Sequence, residues 1–153
     1  MDHLTSSNWV SMGGNPILDI RQHIKRRLDD DLFTFHVGTD SKSYVDHTII
    51  TTTICFREQK HGALVAYQRN KIDNFNNITE RLLHETIVSL EAAKMVQEIT
   101  GIPPTIHADV NTKESALSYR MLNVIMGMVQ GMGYPIRVKP DAWAADIADM
   151  YTR

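Results

Sequence analysis

The chain has 153 residues, 42% of them apolar, which suffices for one sizeable core and leaves little room for two domains. With 16 basic against 18 acidic residues and a formal charge of -2, no global positive field holds nucleic acid, so any such contact has to be local. A single cysteine, Cys55, excludes an intramolecular disulfide, and no stretch approaches the apolar length of a bilayer span, so a cytoplasmic protein without membrane contact is expected.

Residues 1–15 mix Ser, Asn and the Gly13-Gly14 pair and read as an N-terminal tail that packs through Trp9 and Val10. From Pro16, Ile17, Ile20, Ile24 and Leu28 recur at helical spacing, which predicts a leading helix over 16–30. Its Arg21, Lys25, Arg26 and Arg27 are followed at once by Asp29, Asp30 and Asp31, the near-balanced pattern of a solvated face. Three strand-like runs follow, Phe33 to Thr39, Thr48 to Phe56 and Leu64 to Gln68, the last two joined across His61-Gly62 as an antiparallel meander. A long helix is expected from Ile78 to Ile99, stopped by Gly101 and Pro103-Pro104. Thr105 to Val110 reads as a strand, Lys113 to about Gln130 as a helix, Ile136 to Lys139 as a strand and Ala142 to Tyr151 as a closing helix. Residues 16–153 thus form one α/β domain, a mixed sheet flanked by helices, because each later strand has to return by a crossover.

Two strands end on an acid. Along Phe33 to Lys42 the period of two puts His36, Gly38 and Asp40 on one face, with Gly38 permitting close approach of another backbone. Thr105 to Asn111 repeats the design, with His107, Asp109 and Asn111 on one face. A turn-forming Asp explains one such strand end; two at the ligand-binding edge of an α/β sheet point to a site. On the long helix, Leu82, Glu85, Ser89, Ala92, Val96 and Ile99 line one seam, so Glu85 falls inside the apolar face, whereas Glu80, Glu91 and Glu98 lie opposite with Lys94. A buried carboxylate is paired, protonated or bound to a cation, and His84 or a nearby Arg is the alternative to metal as partner. Asp141 stands where it would cap the closing helix, above a seam of Ala144, Ala145 and Ala148; Asp146 and Asp149 are the fallback acids on the more polar side.

Gly38-Thr39-Asp40-Ser41, Glu85 with Ser89-Leu90, His107-Ala108-Asp109-Val110-Asn111 and Lys139-Pro140-Asp141-Ala142 together resemble the ribonuclease H-like superfamily, and within it the YkuK-type small bacterial family. The resemblance implies a five-stranded mixed sheet in the order 3-2-1-4-5, here with an extra N-terminal helix. It also implies a two-metal nuclease site, with Asp40, Glu85, Asp109 and Asp141 as catalytic and metal-binding acids, Mg2+ or Mn2+ as the two ions, and RNA, DNA or a hybrid as substrate. In ribonuclease H itself the helix acid sits nearer the helix start, which keeps Glu80 in view beside Glu85. Lys42, Arg69, Lys71, Arg81 and Lys139 are the candidates for phosphate contacts, and His107 or His84 for proton transfer. The rival reading is an inactive module that binds nucleic acid or a protein partner; Met121, Met126, Met128 and Met132, read first as core filling, would offer such a partner a surface.

Overall fold

β-Branched residues crowd the stretch from Thr48 to Ile54, and such side chains pack well on a pleated surface. In the computed structural model, which describes residues 8–28, 33–58, 62–114 and 116–152, this stretch is the centre of a seven-stranded mixed sheet. The strands are β1 (Trp9–Ser11), β2 (Pro16–Ile17), β3 (Phe33–Ser43), β4 (Thr48–Glu58), β5 (Gly62–Ile72), β6 (Thr105–His107) and β7 (Ile136–Arg137). They lie in the order β2-β1-β5-β4-β3-β6-β7. The helices are α1 (Ile20–Leu28), α2 (Ile78–Thr100), α3 (Leu122–Gly131), preceded by a 3-10 turn at Leu117–Met121, and α4 (Trp143–Thr152).

The expected five-stranded sheet is therefore corrected to seven strands. Trp9–Ser11, expected within a tail, pairs antiparallel with β5 and carries the fully buried Trp9, and Pro16–Ile17 closes a small hairpin on it. The physical reason is the outer edge of β5, eleven residues long, whose open backbone groups need a partner. The same pairing moves the start of the leading helix from Pro16 to Ile20. Its expected end at Asp29 and Asp30 lies outside the described residues, as do residues 1–7 and the His61 turn position. Further along, the helix expected from Lys113 is shortened to Leu122–Gly131, with the 3-10 turn taking up the chain before it.

Strands β3, β4 and β5 pair along their full eleven residues. β6 pairs with β3 in parallel only from His36 to Gly38, so β3 from Thr39 onward has β4 on one side and no strand on the other. That short β6 opens a cleft at the end of the sheet. Helices α1 and α2 cover one face, where Phe35, Val37, Ile54 and Phe56 pack with Ile20, Ile24, Ala92, Ala93 and Val96. α4 covers the other, where Cys55, Val65 and Ala144 are buried with Trp143, Ile147 and Tyr151 against them. α2 starts at Asn77, whose side chain accepts from the Glu80 amide at 2.9 Å, while Glu80 Oε2 accepts from the Asn76 amide at 3.2 Å. It stops at Gly101, in the left-handed region at φ 73°.

Candidate active site

Asp40 and Glu85 sit at this end of the sheet on its opposite faces. Asp40 belongs to the β3 face that α4 covers; Ser41, the next residue, points to α2 and donates its hydroxyl to Glu85 Oε2 at 2.6 Å. Thr39 and Ser89 share a buried hydroxyl hydrogen bond of 2.7 Å one turn further along α2. Alternation along β3 therefore places Asp40 on one side and ties the helix to the strand on the other. Asp40 is 7% exposed and Glu85 5%, and a narrow cleft lined by Thr39, Glu85, Ser89, His107 and Asp109 runs between α2 and the end of β6.

The electrostatics of the two buried acids are alike. Burial raises the Asp40 carboxyl to about 7, with added repulsion from Asp109 and Asp149 and a further rise from a side-chain hydrogen bond shared with Asp149. Burial raises Glu85 to about 8; Arg81 and the Ser41 hydroxyl pull the other way, and Asp40 and Asp109 add to the rise. Arg81 Nε lies 3.7 Å from Glu85 Oε2, one helical turn away, so the helix acid is attended by an Arg, and His84 packs on Phe75. Asp109 is held by Lys139, Nζ to Oδ1 at 2.7 Å, which raises the lysine. Lys139, read from sequence as a phosphate contact, is thus a partner of an acid.

Asp40, Glu85 and Asp109 come together as expected from their positions. Asp141 does not join them. It is exposed in the turn before α4 and lines an open groove with Thr112, Arg137 and Lys139. Asp149, two turns further along α4, is the acid that meets Asp40. Glu80 is exposed and engaged in the α2 cap, so of the two helix acids it is Glu85 that faces the cleft.

The start of α4 is set by an unusual acceptor. The amide of Ala144 donates to Nδ1 of His107 at 3.1 Å, in the role expected of Asp141. With Nδ1 accepting, the His107 proton sits on Nε2 and is donated to His36 Nδ1 at 2.9 Å. The His36 proton then sits on Nε2, 2.8 Å from Thr34 Oγ1, whose hydroxyl faces the Arg57 carbonyl at 3.5 Å. Burial holds both rings neutral, His36 down to about 4 and His107 down to about 3. Trp143 packs against both. His107 is thereby a buried strut under α4 and not an open proton carrier. The sequence signal was present, since His36 and His107 share the faces of Asp40 and Asp109, but pairing of β3 with β6 was needed to see it.

A family model described as ribonuclease H-like matches residues 17–153, nearly the whole described chain. The chain belongs to the ribonuclease H-like family. The uncharacterized protein YkuK of Bacillus subtilis (strain 168) is 24% identical over 156 residues, covering 88% of this chain and 90% of that protein. The YkuK-type membership that the sequence motifs suggested therefore holds, and within the ribonuclease H-like frame the acids on β3, α2 and α4, with Asp109 just after β6, occupy one end of the sheet. No helix among the described residues is long and apolar enough to cross a membrane.

Proposed function

We propose that this chain is a divalent-metal-dependent nuclease that hydrolyses phosphodiester bonds in RNA, DNA or a hybrid, with Asp40, Glu85, Asp109 and Asp149 holding Mg2+ or Mn2+, two ions at full loading. The observation that supports it is the convergence of these carboxyls: Asp40 is raised to about 7 by burial and by Asp109 and Asp149. Buried acids that repel one another cost stability, and such arrangements cluster at functional sites. Among the described residues no group of three or more His, Cys, Asp or Glu stands arranged to hold a metal ion. The donors nonetheless fit one by their chemistry, since all four are carboxylate oxygens, the choice of hard cations. Loading requires Lys139 to release Asp109.

Bound cations of this kind neutralise phosphate charge and acidify a water. The chain's own part is positional. Ser41 fixes the rotamer of Glu85, the strut from His107 sets the start of the helix that carries Asp149, and Arg81 moderates the charge of Glu85. Lys139, once released, is placed to meet a phosphate oxygen.

The reading is tested by incubating the purified chain with labelled single-stranded RNA, single-stranded DNA, duplex and hybrid in Mn2+ and in EDTA. Cleavage is expected in Mn2+ alone, falling by roughly a hundredfold or more in Asp40→Asn and Asp149→Asn and staying near the parent level in Asp141→Asn. Cleavage undiminished in Asp40→Asn, or none of any substrate, overturns it. The Lys139–Asp109 ion pair favours a second reading, an inactive nucleic-acid-binding or protein-interaction module in which the lysine stands permanently where positive charge is called for. On that reading Lys139→Ala leaves the chain without cleavage in Mn2+.

A further inference from the structure

The end of the sheet beyond Asp40 is built from features that the acid cluster does not use. Cross-strand register puts Lys42, Ile49 and Lys71 in one row and Asp40, Thr51 and Arg69 in the next, all on the face that α4 covers. Lys42, Arg69 and Lys71 are exposed. Two residues past Lys42, at the tip of the β3–β4 hairpin, Tyr44 is 41% exposed and Val45 101%. The Tyr44 ring stacks on His47, centroids 5.0 Å apart and planes 15° from parallel, and Lys42 Nζ lies 5.5 Å from the Tyr44 centroid.

Exposed apolar side chains at a hairpin tip are ordinarily left to move, but this tip is clamped. The Tyr44 amide donates to the His47 carbonyl at 2.7 Å. From the loop after β5, Asn74 Nδ2 donates to the carbonyls of Tyr44 at 2.9 Å and Val45 at 3.2 Å. Its Oδ1 accepts from Thr48 Oγ1 at 2.7 Å, and Thr48 is bonded in turn to Ser43. The flat ring is therefore presented in a fixed pose, with its ordering cost met by the fold rather than on binding. Two exposed acids lie at this end, Asp46, which is bonded to His47 Nδ1 at 2.7 Å, and Asp73 just after β5, with the buried Asp40 one row further in beside Arg69.

We infer that the β3–β4 hairpin end is a platform for a single-stranded nucleic-acid segment: a base stacks on Tyr44 while Lys42, Lys71 and Arg69 take the neighbouring phosphates. Cations tracking a backbone beside an aromatic face are the elements of sequence-tolerant single-strand binding. Lys42 is two residues from Asp40 along β3, about 7 Å, so a strand lying on the platform runs directly into the acid cluster. The nature of the ligand rests on the nuclease reading above; the surface does not depend on cleavage.

The test is fluorescence anisotropy of labelled single-stranded RNA and DNA oligonucleotides with the full chain in EDTA, where binding is read without turnover. Tyr44→Ala weakens binding roughly tenfold and Tyr44→Phe leaves it close to the parent. The Lys42→Ala/Lys71→Ala pair lowers the slope of log affinity against log salt by about 1.4. Thermal melts of the variants coincide with the parent, because the substituted side chains are exposed. A Tyr44→Ala chain that binds as the parent does, a salt slope unchanged in the lysine pair, or a parent that binds only duplex overturns the platform. Binding that depends on Tyr44 in a chain that cleaves nothing in Mn2+ keeps the platform and removes the nuclease; cleavage undiminished in Tyr44→Ala does the reverse.

Discussion

Gly38 carries a close approach between the site strand and the helix that faces it. A Cβ at this position would fall on the Ala144 carbonyl group and the Ala145 nitrogen. The same carbonyl is claimed by Thr53, whose hydroxyl lies 3.1 Å from Ala144 O and 3.2 Å from Gly38 O. Gly38→Ala therefore has to push α4 outward, an overpacking change that costs about 2 kcal/mol. Urea titration is expected to show the loss as a lower midpoint with an unchanged slope, and a neutral Gly38→Ala would mean that the helix is not seated here. Asp149 rides on α4, so the same substitution separates it from Asp40. At this scale much was legible. Gly38 stood out as a close-approach glycine, and Glu85 as an acid in an apolar seam that a solvated helix does not tolerate. Asp141 and Asp149 were harder to tell apart, because an Asp before a helix has its own local reason to exist. Which acid meets Asp40 depends on the direction in which α4 crosses the sheet.

The crossing of α4 is an element-scale property, and His107 fixes it. Replacing that ring by an apolar one of similar volume, His107→Phe, leaves the Ala144 amide without its acceptor and His36 Nδ1 without its donor, both in the interior. Unmade buried hydrogen bonds cost about 1–3 kcal/mol each. Hydrogen exchange at the Ala144 amide is expected to speed up far more in His107→Phe than at amides in α2, because α4 then opens on its own. Equal acceleration in both helices would mean that the strut supports the whole fold and not α4 in particular. Element reading from sequence worked where the signal was long: α2 over 23 residues and the three eleven-residue strands carry many repeats of their period. It missed β1 and β2, and it placed β6 and β7 at their right starts, Thr105 and Ile136, but ran them past their ends at His107 and Arg137; all four span two or three residues each. Strands that short show no period and exist because a neighbouring strand offers them backbone partners.

Across the whole molecule the buried ionisable groups set opposing responses to pH. Asp40 and Glu85 titrate higher in the fold than in the unfolded chain, at about 7 and about 8, against ordinary values of 3.8 and 4.5. Between those values the native state binds more protons than the unfolded one, so each acid's contribution is complete at low pH and is lost as pH rises through its folded value. His36 and His107 do the opposite. They titrate at about 4 and about 3 against 6.5, so the unfolded chain binds the extra protons and stability rises with pH up to about 6.5. From about pH 4.5 to 6.5 two groups lower stability and two raise it, which predicts a nearly flat profile. Above 6.5 the histidines are neutral in both states and the acids act alone, so the urea midpoint in EDTA falls steadily toward pH 8. Asp40→Asn removes part of that fall and, by leaving one acid against two histidines, turns the flat region below pH 6.5 into a rise. Divalent metal bound by ionised carboxylates stabilises the charged form, so Mn2+ is expected to cancel the fall above pH 6.5 in the parent and to do so less in Asp40→Asn. A profile that declines above pH 6.5 equally in parent and Asp40→Asn would mean that Asp40 is ionised in the fold at neutral pH, and that the repulsion at the sheet end is relieved by Lys139 and Arg81 without any help from a bound cation.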